Sequence, residues 1–254
     1  MIFIKNKKEI ELMRESNRIV GELLALMGRH VKPGVSTWEL NQIAEEFILS
    51  QGATPSFKGY RVQGLVPFPS AICASVNDCI VHGLPSKKVI LKEGDIIGID
   101  VGTYKNGFNG DGARSFGVGQ ISSVAEELMA VTRAALDRGM QMAKAGNRVG
   151  DISWAIGSYV KEKGFSIADD LTGHGIGRDM HEDPMIPNFG VAGKGPRLKA
   201  GMTLSIEPMV NIGTNKVVES GWEFFTADGT LSAHFENTLL VTKNEPEILT
   251  LPYN

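Results

Sequence analysis

The sequence predicts an α+β fold of two pseudo-symmetric helix–strand halves around an antiparallel sheet, with a site between them. Three echoes, met in the same order along the chain, predict it. Lys32-Pro33-Gly34 through Gly52 is answered 112 positions later by Lys144-Ala145-Gly146 through Gly164. Leu91-Lys92-Glu93-Gly94 runs into Ile96, Ile97, Ile99 and Asp100; Leu198-Lys199-Ala200-Gly201 runs into Met202, Leu204, Ile206 and Glu207, at an offset of 107. His82-Gly83-Leu84-Pro85 is answered by His181-Glu182-Asp183-Pro184. Self-similarity in a fixed order is the mark of a repeated structural unit. The matched positions include one histidine and one acid from each half, which places chemistry at a pseudo-twofold interface.

The elements follow in order. Apolar residues Ile19, Leu23 and Leu26 recur at helical spacing and predict a helix over Ile10 to Met27. The turn at Gly34 leads into a second helix, and Gly59 to Pro69 is a glycine- and proline-rich loop. The apolar run Asp95-Ile96-Ile97-Gly98-Ile99 predicts a strand. Lys105-Asn106-Gly107 is a hairpin signal that returns the chain through Asp111. A boundary falls near Gly117 to Ser123. Leu128, Val131 and Ala135 predict a helix over Val124 to Met142, and the second glycine-ended turn starts another helix. Pro187 to Pro196 is a loop, and Phe224 to Thr242 suggests a hairpin with Asp228-Gly229 at its turn. Neither half looks able to bury its sheet alone. Residues 1–254 are therefore read as one catalytic domain of half-repeats, roughly 1–117 and 123–254.

Composition narrows the function. The chain has 254 residues, 42% hydrophobic and 22% charged, with a net charge of −3. That is ordinary for a soluble globular protein with a sizeable core. No basic stripe marks a nucleic-acid site, and no apolar run is long enough to span a membrane. Met1-Ile2-Phe3-Ile4-Lys5 lacks the apolar region of a secretory signal, so a cytoplasmic setting is expected. Cys73 and Cys79, with five residues between them, match neither a zinc knuckle nor a redox pair and read as thiols in a reducing compartment.

Four acids carry the chemical signal. Asp100 ends an apolar strand, and the hairpin could bring Asp111 beside it. The pair reads either as turn and capping aspartates or as two carboxylates facing one cation. Glu207, in Leu204-Ser205-Ile206-Glu207-Pro208, and Glu236, in Phe235-Glu236-Asn237, sit in the same apolar setting. Each alone could pair with a buried Lys or Arg. Together, with few basic residues nearby, they would be costly without a metal. His174, flanked by Gly173 and Gly175, has an unobstructed imidazole that could complete the cluster. Four carboxylates and one imidazole suit Mn(II), Fe(II) or Co(II) better than a thiolate-type zinc site. Two such ions sharing carboxylates could activate a water and polarise a carbonyl. The chain has no Gly-x-Ser-x-Gly elbow, no phosphate loop and no His-Glu-x-x-His.

At these residues the chain resembles the type I methionine aminopeptidases, which have the pita-bread metallopeptidase fold. The resemblance runs from Val31-Lys32-Pro33-Gly34 to Ile248-Leu249-Thr250-Leu251. Its most specific stretches are Ser75-Val76-Asn77 with Val81-His82-Gly83, Gly173-His174-Gly175-Ile176-Gly177 with His181-Glu182-Asp183-Pro184, and Ile206-Glu207-Pro208-Met209. It implies removal of the N-terminal initiator methionine from nascent proteins, with a small second residue preferred. Asp100, Asp111, His174, Glu207 and Glu236 would ligate two divalent ions, Asp111 and Glu236 bridging. His82 and His181 would hold the substrate, His181 stabilising the oxyanion, and Glu207 would also shuttle the proton. Phe57, Tyr60, Phe68, Cys73, Met180 and Trp222 would line the methionine pocket. The implied partners are nascent polypeptide N-termini, with room for a transient ribosome contact, for a compact bacterial-type monomer. A proline-directed pita-bread peptidase and a non-catalytic scaffold relative are the alternatives.

This chain departs from the family pattern in places. Val62 to Pro67 stand where the family commonly has a single glycine, about five extra residues. Asn109 replaces a frequent histidine and Gly112 a frequent Ser or Thr. His234 stands where Gln is common, and Asn237 where His is common. These neighbours tune metal affinity and pocket shape, so specificity is the property they put in question.

Overall fold

The computed structural model describes residues 1–251. The first half begins with helices α1 (Lys7–His30) and α2 (Thr37–Ser50). Strands β1 (Thr54–Pro55), β2 (Ile72–Val76) and β3 (Cys79–Val81) follow, then the long pair β4 (Ile96–Lys105) and β5 (Phe108–Gly117). The second half begins with α3 (Ser123–Gln141) and α4 (Val149–Glu162), followed by β6 (Ser166–Ile167), β7 (Thr172–Gly175), β8 (Glu182–Pro187) and β9 (Thr203–Ile206). It closes with β10 (Met209–Asn211), β11 (Val217–Ser220), β12 (Glu223–Thr226), β13 (Ser232–His234), β14 (Asn237–Leu240) and β15 (Glu247–Ile248).

The echoes in sequence are echoes in backbone. Helices α2 and α4 are each 14 residues long. The paired glycines Gly34 and Gly146, Gly52 and Gly164, and Gly94 and Gly201 all have φ between 65° and 103°. That region strains a residue bearing a Cβ, so glycine marks the same turn twice. Helix starts are specified locally. Asn6 and Glu9 form a capping box at α1, and Ser36 and Glu39 form one at α2. Ser122 accepts from the Ala125 amide at α3, and the Asp151 carboxylate accepts from the Arg148 amide at α4, 2.7 Å away.

All strand pairs are antiparallel. β4 lies between β2 and β5 in one sheet, and β9 between β7 and β14 in the other. Helices α1 and α2 bury Ile19, Leu23, Met27 and Leu40 against Ile97, Ile99 and Val101. Helices α3 and α4 bury Leu128, Leu136, Ile152 and Ile156 against Leu204, Ile206 and Leu239. Each helix pair therefore covers the outer face of its own sheet, which is the expected pseudo-symmetric plan. The sheets meet where Ala113 on β5 and Glu236 exchange backbone hydrogen bonds, Glu236 N–H to Ala113 O being 2.9 Å. That seam is where the functional side chains collect.

Two expectations are corrected. A turn does form at Asp228-Gly229, with the Gly229 amide donating to Thr226 O at 3.2 Å. The strands on either side do not pair as a hairpin: β12 pairs with β11 and β3, and β13 with β10. Phe224 packs on the Ile80, Val81 and Met209 cluster, which draws β12 onto β3 instead. Secondly, Asp100 and Asp111 lie within strands, but Glu207 and Glu236 fall in breaks between strands. Pro208 cannot donate to a ladder, so β9 stops one residue before Glu207. Among the described residues, no helix is long and apolar enough to cross a membrane.

Candidate metal centre

The first two acids are placed by a tight hairpin. Asn106 and Gly107 occupy the two-residue turn with φ of 52° and 87°, the left-handed geometry that matches strand twist. The resulting register sets Asp100 opposite Ala113 and Asp111 opposite Gly102. Residues two apart on one strand share a face, so both carboxylates point the same way. Gly102 matters to this face. A Cβ there would come within 2.6 Å of the Phe57 ring and 2.7 Å of the Met180 methyl.

His174 enters from β7 opposite Ser205 on β9. Its flanking glycines permit this: a Cβ at Gly173 would lie 2.4 Å from Ser205 O, and at Gly175 2.2 Å from Asp183 O. His174 Nδ1 lies 2.9 Å from Gly175 O, so the proton resides on Nδ1 and the Nε2 lone pair is free. That Nε2 sits 3.6 Å from Asp111 Oδ2 and 3.5 Å from Glu207 Oε1. Glu236 accepts a hydrogen bond from the Ser205 hydroxyl. Donor atoms of Asp111, His174 and Glu236 all lie within 4.8 Å of one another.

The electrostatics fit a cation. Burial, reinforced by the charge of Glu236, pushes Asp100, Asp111 and Glu207 well above the usual carboxylate range. Burial raises Glu236 to about 7. Asp100 Oδ1 and Asp111 Oδ1 are buried with no hydrogen-bond partner. His174 is driven down to about 3, chiefly by burial, and is neutral at pH 7. A neutral imidazole lone pair facing carboxylate oxygens is unfavourable unless a positive charge lies among them. Among the described residues, Arg114 is the one basic side chain that offsets Glu236, and its guanidinium donates to Ala113 O, Glu236 O and Asn237 Oδ1. Four acids, one imidazole and unpartnered oxygens are a donor set for hard or borderline divalent ions.

The cluster floors a cavity of about 360 Å³. It is lined by the residues that the resemblance assigns to metal, catalysis and substrate: Asp100, Asp111, His174, Glu207 and Glu236, then His82 and His181, then Phe57, Tyr60, Phe68, Cys73, Met180 and Trp222. His82 stands in the left-handed region at φ 58°, its ring 5.4 Å from that of Phe224. Burial lowers its pKa to about 4. The His181 ring lies 4.5 Å from that of His174, and its Nδ1 is 2.7 Å from the Tyr60 hydroxyl. Phe68, Cys73 and Trp222 form an apolar wall, with the Phe68 and Trp222 rings edge-on at 5.3 Å. The extra residues between Arg61 and Phe68 form an ordered lip. Val62 lines the cavity, and Val66 O accepts from Trp222 Nε1 at 2.8 Å.

Three neighbours, Asp170, Leu171 and Thr172, carry no pattern that flags them in the sequence, whereas Asn109 and His234 stand among the departures noted above. Thr172, Leu171 and Asp170 line the cavity, and their position just before Gly173-His174 was the available signal. Buried His234, whose Nε2 is unpartnered, lies 3.8 Å from Glu207 Oε2. Asn109 holds the loop before His181 through Gly177 O and Arg178 O. That contact was not legible, because the residues are far apart in the chain.

Comparison with known proteins gives the same picture. Residues 11–243 match metallopeptidase family M24. The chain is 52% identical to a methionine aminopeptidase of Clostridium perfringens over 99% of both chains. Its fold superposes on the crystal structure of methionine aminopeptidase from Rickettsia prowazekii with a TM-score of 0.95, at 40% identity, covering 99% of this chain and 100% of that one. A prolidase from Pyrococcus furiosus shares the fold at a TM-score of 0.80 and 24% identity, this chain spanning 66% of that protein's length and 99% of its own. With a carboxylate–imidazole centre at the seam of two repeated halves and a family match over most of its length, the chain belongs to metallopeptidase family M24.

Proposed function

We propose that this protein hydrolyses the peptide bond after an N-terminal methionine, acting on nascent polypeptides in the cytoplasm whose second residue is small. The observation that carries the reading is the cavity itself: an apolar wall of Phe68, Cys73 and Trp222 beside a buried carboxylate–imidazole cluster. A thioether side chain suits such a wall through sulfur–aromatic contacts. High identity to methionine aminopeptidases over the whole chain supports the same substrate.

Two divalent ions held by Asp100, Asp111, His174, Glu207 and Glu236, of which Mn(II), Fe(II) and Co(II) fit best, would supply a Lewis acid and an acidified water. The protein's own groups do the rest. Glu207 accepts the proton from the attacking water and passes it to the leaving amide nitrogen, so the new carboxyl and new amine balance. His181, kept neutral by burial, needs its proton on Nε2 to donate to the developing oxyanion. Tyr60 provides for that by donating to Nδ1, 2.7 Å away. His82, also neutral, positions the first residue.

The test is release of free methionine from Met-Ala-Ser and Met-Gly-Ser by metal-stripped protein resupplied with Mn(II), Co(II) or Fe(II). Metal-dependent release, lost in His181→Ala and Glu236→Ala, is expected. Cleavage confined to Xaa-Pro bonds, or metal binding without any release, overturns the proposal.

A further inference from the structure

The lip formed by residues 62–67 is built into the molecule rather than looped away from it. Its base is closed by backbone bonds, Phe68 N–H to Tyr60 O at 2.9 Å and Gly59 N–H to Phe68 O at 2.8 Å. Within it Leu65 N–H donates to Val62 O at 3.2 Å, closing a turn in which Gly64 supplies a φ of 89°. Val62 lines the central cavity, Leu65 packs on the wall of Phe68, Cys73 and Trp222, and Val66 O accepts from Trp222 Nε1 at 2.8 Å. We propose that this lip is a specificity-determining element: by fixing Trp222, it limits how long a first side chain the pocket accepts. The proposal rests on the function assigned to the central cavity above.

Trp222 needs such a brace because of where the chain puts it. The β11–β12 register pairs Ser220 with Glu223, which leaves Gly221 and Trp222 as the two-residue turn between the strands. A residue at a hairpin tip has no cross-strand neighbour to hold its side chain. Yet Trp222 is only 8% exposed, with its ring edge-on to Phe68 at 5.3 Å. The Val66 carbonyl satisfies the single donor of the indole. Without it, that N–H is stranded in an apolar wall, or the ring turns toward water. Leu65 backs the same wall from the same closed loop. A wall that cannot give way makes an oversized side chain costly. At the base of the lip, the Tyr60 hydroxyl reaches His181 Nδ1 at 2.7 Å. The lip therefore spans from the histidine that meets the scissile carbonyl to the wall on which the first side chain lies. An insertion that merely lengthened a surface loop would touch neither.

The experiment compares kcat/KM of the Mn(II)-loaded protein for Met-Ala-Ser and for the same tripeptide with ethionine, one methylene longer, in place of methionine. An extra methylene in a fixed pocket should cost the parent about tenfold. Replacing residues 62–67 by a single glycine removes the lip. Tyr60 O and Phe68 N–H then stand three residues apart, the spacing of an ordinary turn, so the base can still close. In that protein the preference for methionine should fall to about twofold, with ethionine released faster than by the parent, a gain that misfolding cannot produce. Leu65→Ala keeps the loop and should fall between, at about fivefold; if the shortened chain does not fold, this variant decides by itself. A second readout needs no metal: acrylamide quenching of Trp222 emission, isolated by difference from Trp222→Phe because Trp38 and Trp154 also emit. Quenching should be stronger without the lip. No methionine release from any form of the protein refutes the function assigned to the central cavity. Methionine release by a parent that takes both residues alike, a preference unchanged in both variants, or a Trp222 equally shielded with and without the lip refutes the role of the lip alone.

Discussion

Replacing Glu236 by glutamine should stabilise the metal-free protein while destroying its response to metal. Glu236 is 2% exposed, and burial raises its pKa to about 7. Its charge also helps raise Asp100, Asp111 and Glu207. Each pH unit between the folded and unfolded values is worth about 1.4 kcal/mol, so ionising Glu236 in the fold costs about 3 kcal/mol at pH 8. The sign follows from proton binding. A carboxyl whose folded pKa is raised keeps its proton longer when folded. Its contribution is therefore harmless below about pH 4, grows as pH rises, and is complete above about pH 7. Glutamine removes the charge and keeps an oxygen to accept from the Ser205 hydroxyl. The buried histidines, with pKa values near 3 to 4, impose the opposite slope, but they do so in both proteins and cancel in the difference. After EDTA treatment, Glu236→Gln should unfold roughly 6–10 °C above the parent at pH 8, and within about 2 °C of it at pH 4. Adding Mn(II) to about one thousand times Kd should reverse the order, because only the parent gains binding-linked stability, about 4.1 kcal/mol. Differential scanning calorimetry at both pH values measures this. A metal-free Glu236→Gln protein less stable than the parent at pH 8 would refute the claim that the cluster is electrostatically frustrated without a cation. An equal Mn(II) response in both proteins would refute the ligand assignment.

Other consequences follow from the same geometry. Tyr60→Phe removes the donor to His181 Nδ1 and frees the other tautomer, so kcat on Met-Ala-Ser should fall about tenfold, with a smaller change in KM. Equal kcat values would show that Tyr60 does not set the tautomer. Gly102→Ala places a methyl against Phe57 and Met180; steady-state kinetics should show KM raised severalfold while metal affinity, by calorimetry, is kept. Cys73 is held well above the usual thiol range by burial, and Cys79 is pushed up to about 12. Neither should be alkylated by iodoacetamide at pH 8 in the folded protein, and mass spectrometry showing rapid labelling of either would contradict that burial.

The sequence by itself determined the local elements and the inventory of the site. Ser36 with Glu39, and Asn106-Gly107, specify a helix start and a hairpin through neighbours in the chain. The same hairpin register placed Asp111 on the face of Asp100. The glycine pairs repeated with the duplication because each needs a backbone that other residues resist. What only the tertiary structure decided was everything that crosses the seam between halves. Glu236 reaches the aspartates because its backbone bonds Ala113 across 123 positions. His181 gains its orienting partner from Tyr60, and the inserted lip is tied down by Trp222. Strand β12 abandoned the hairpin its turn suggested because Phe224 found more apolar surface on β3. Short-range hydrogen bonding is written in adjacent residues and can be read from them. Burial competes among all surfaces of the folded chain at once, so its outcome exists only once the chain is packed.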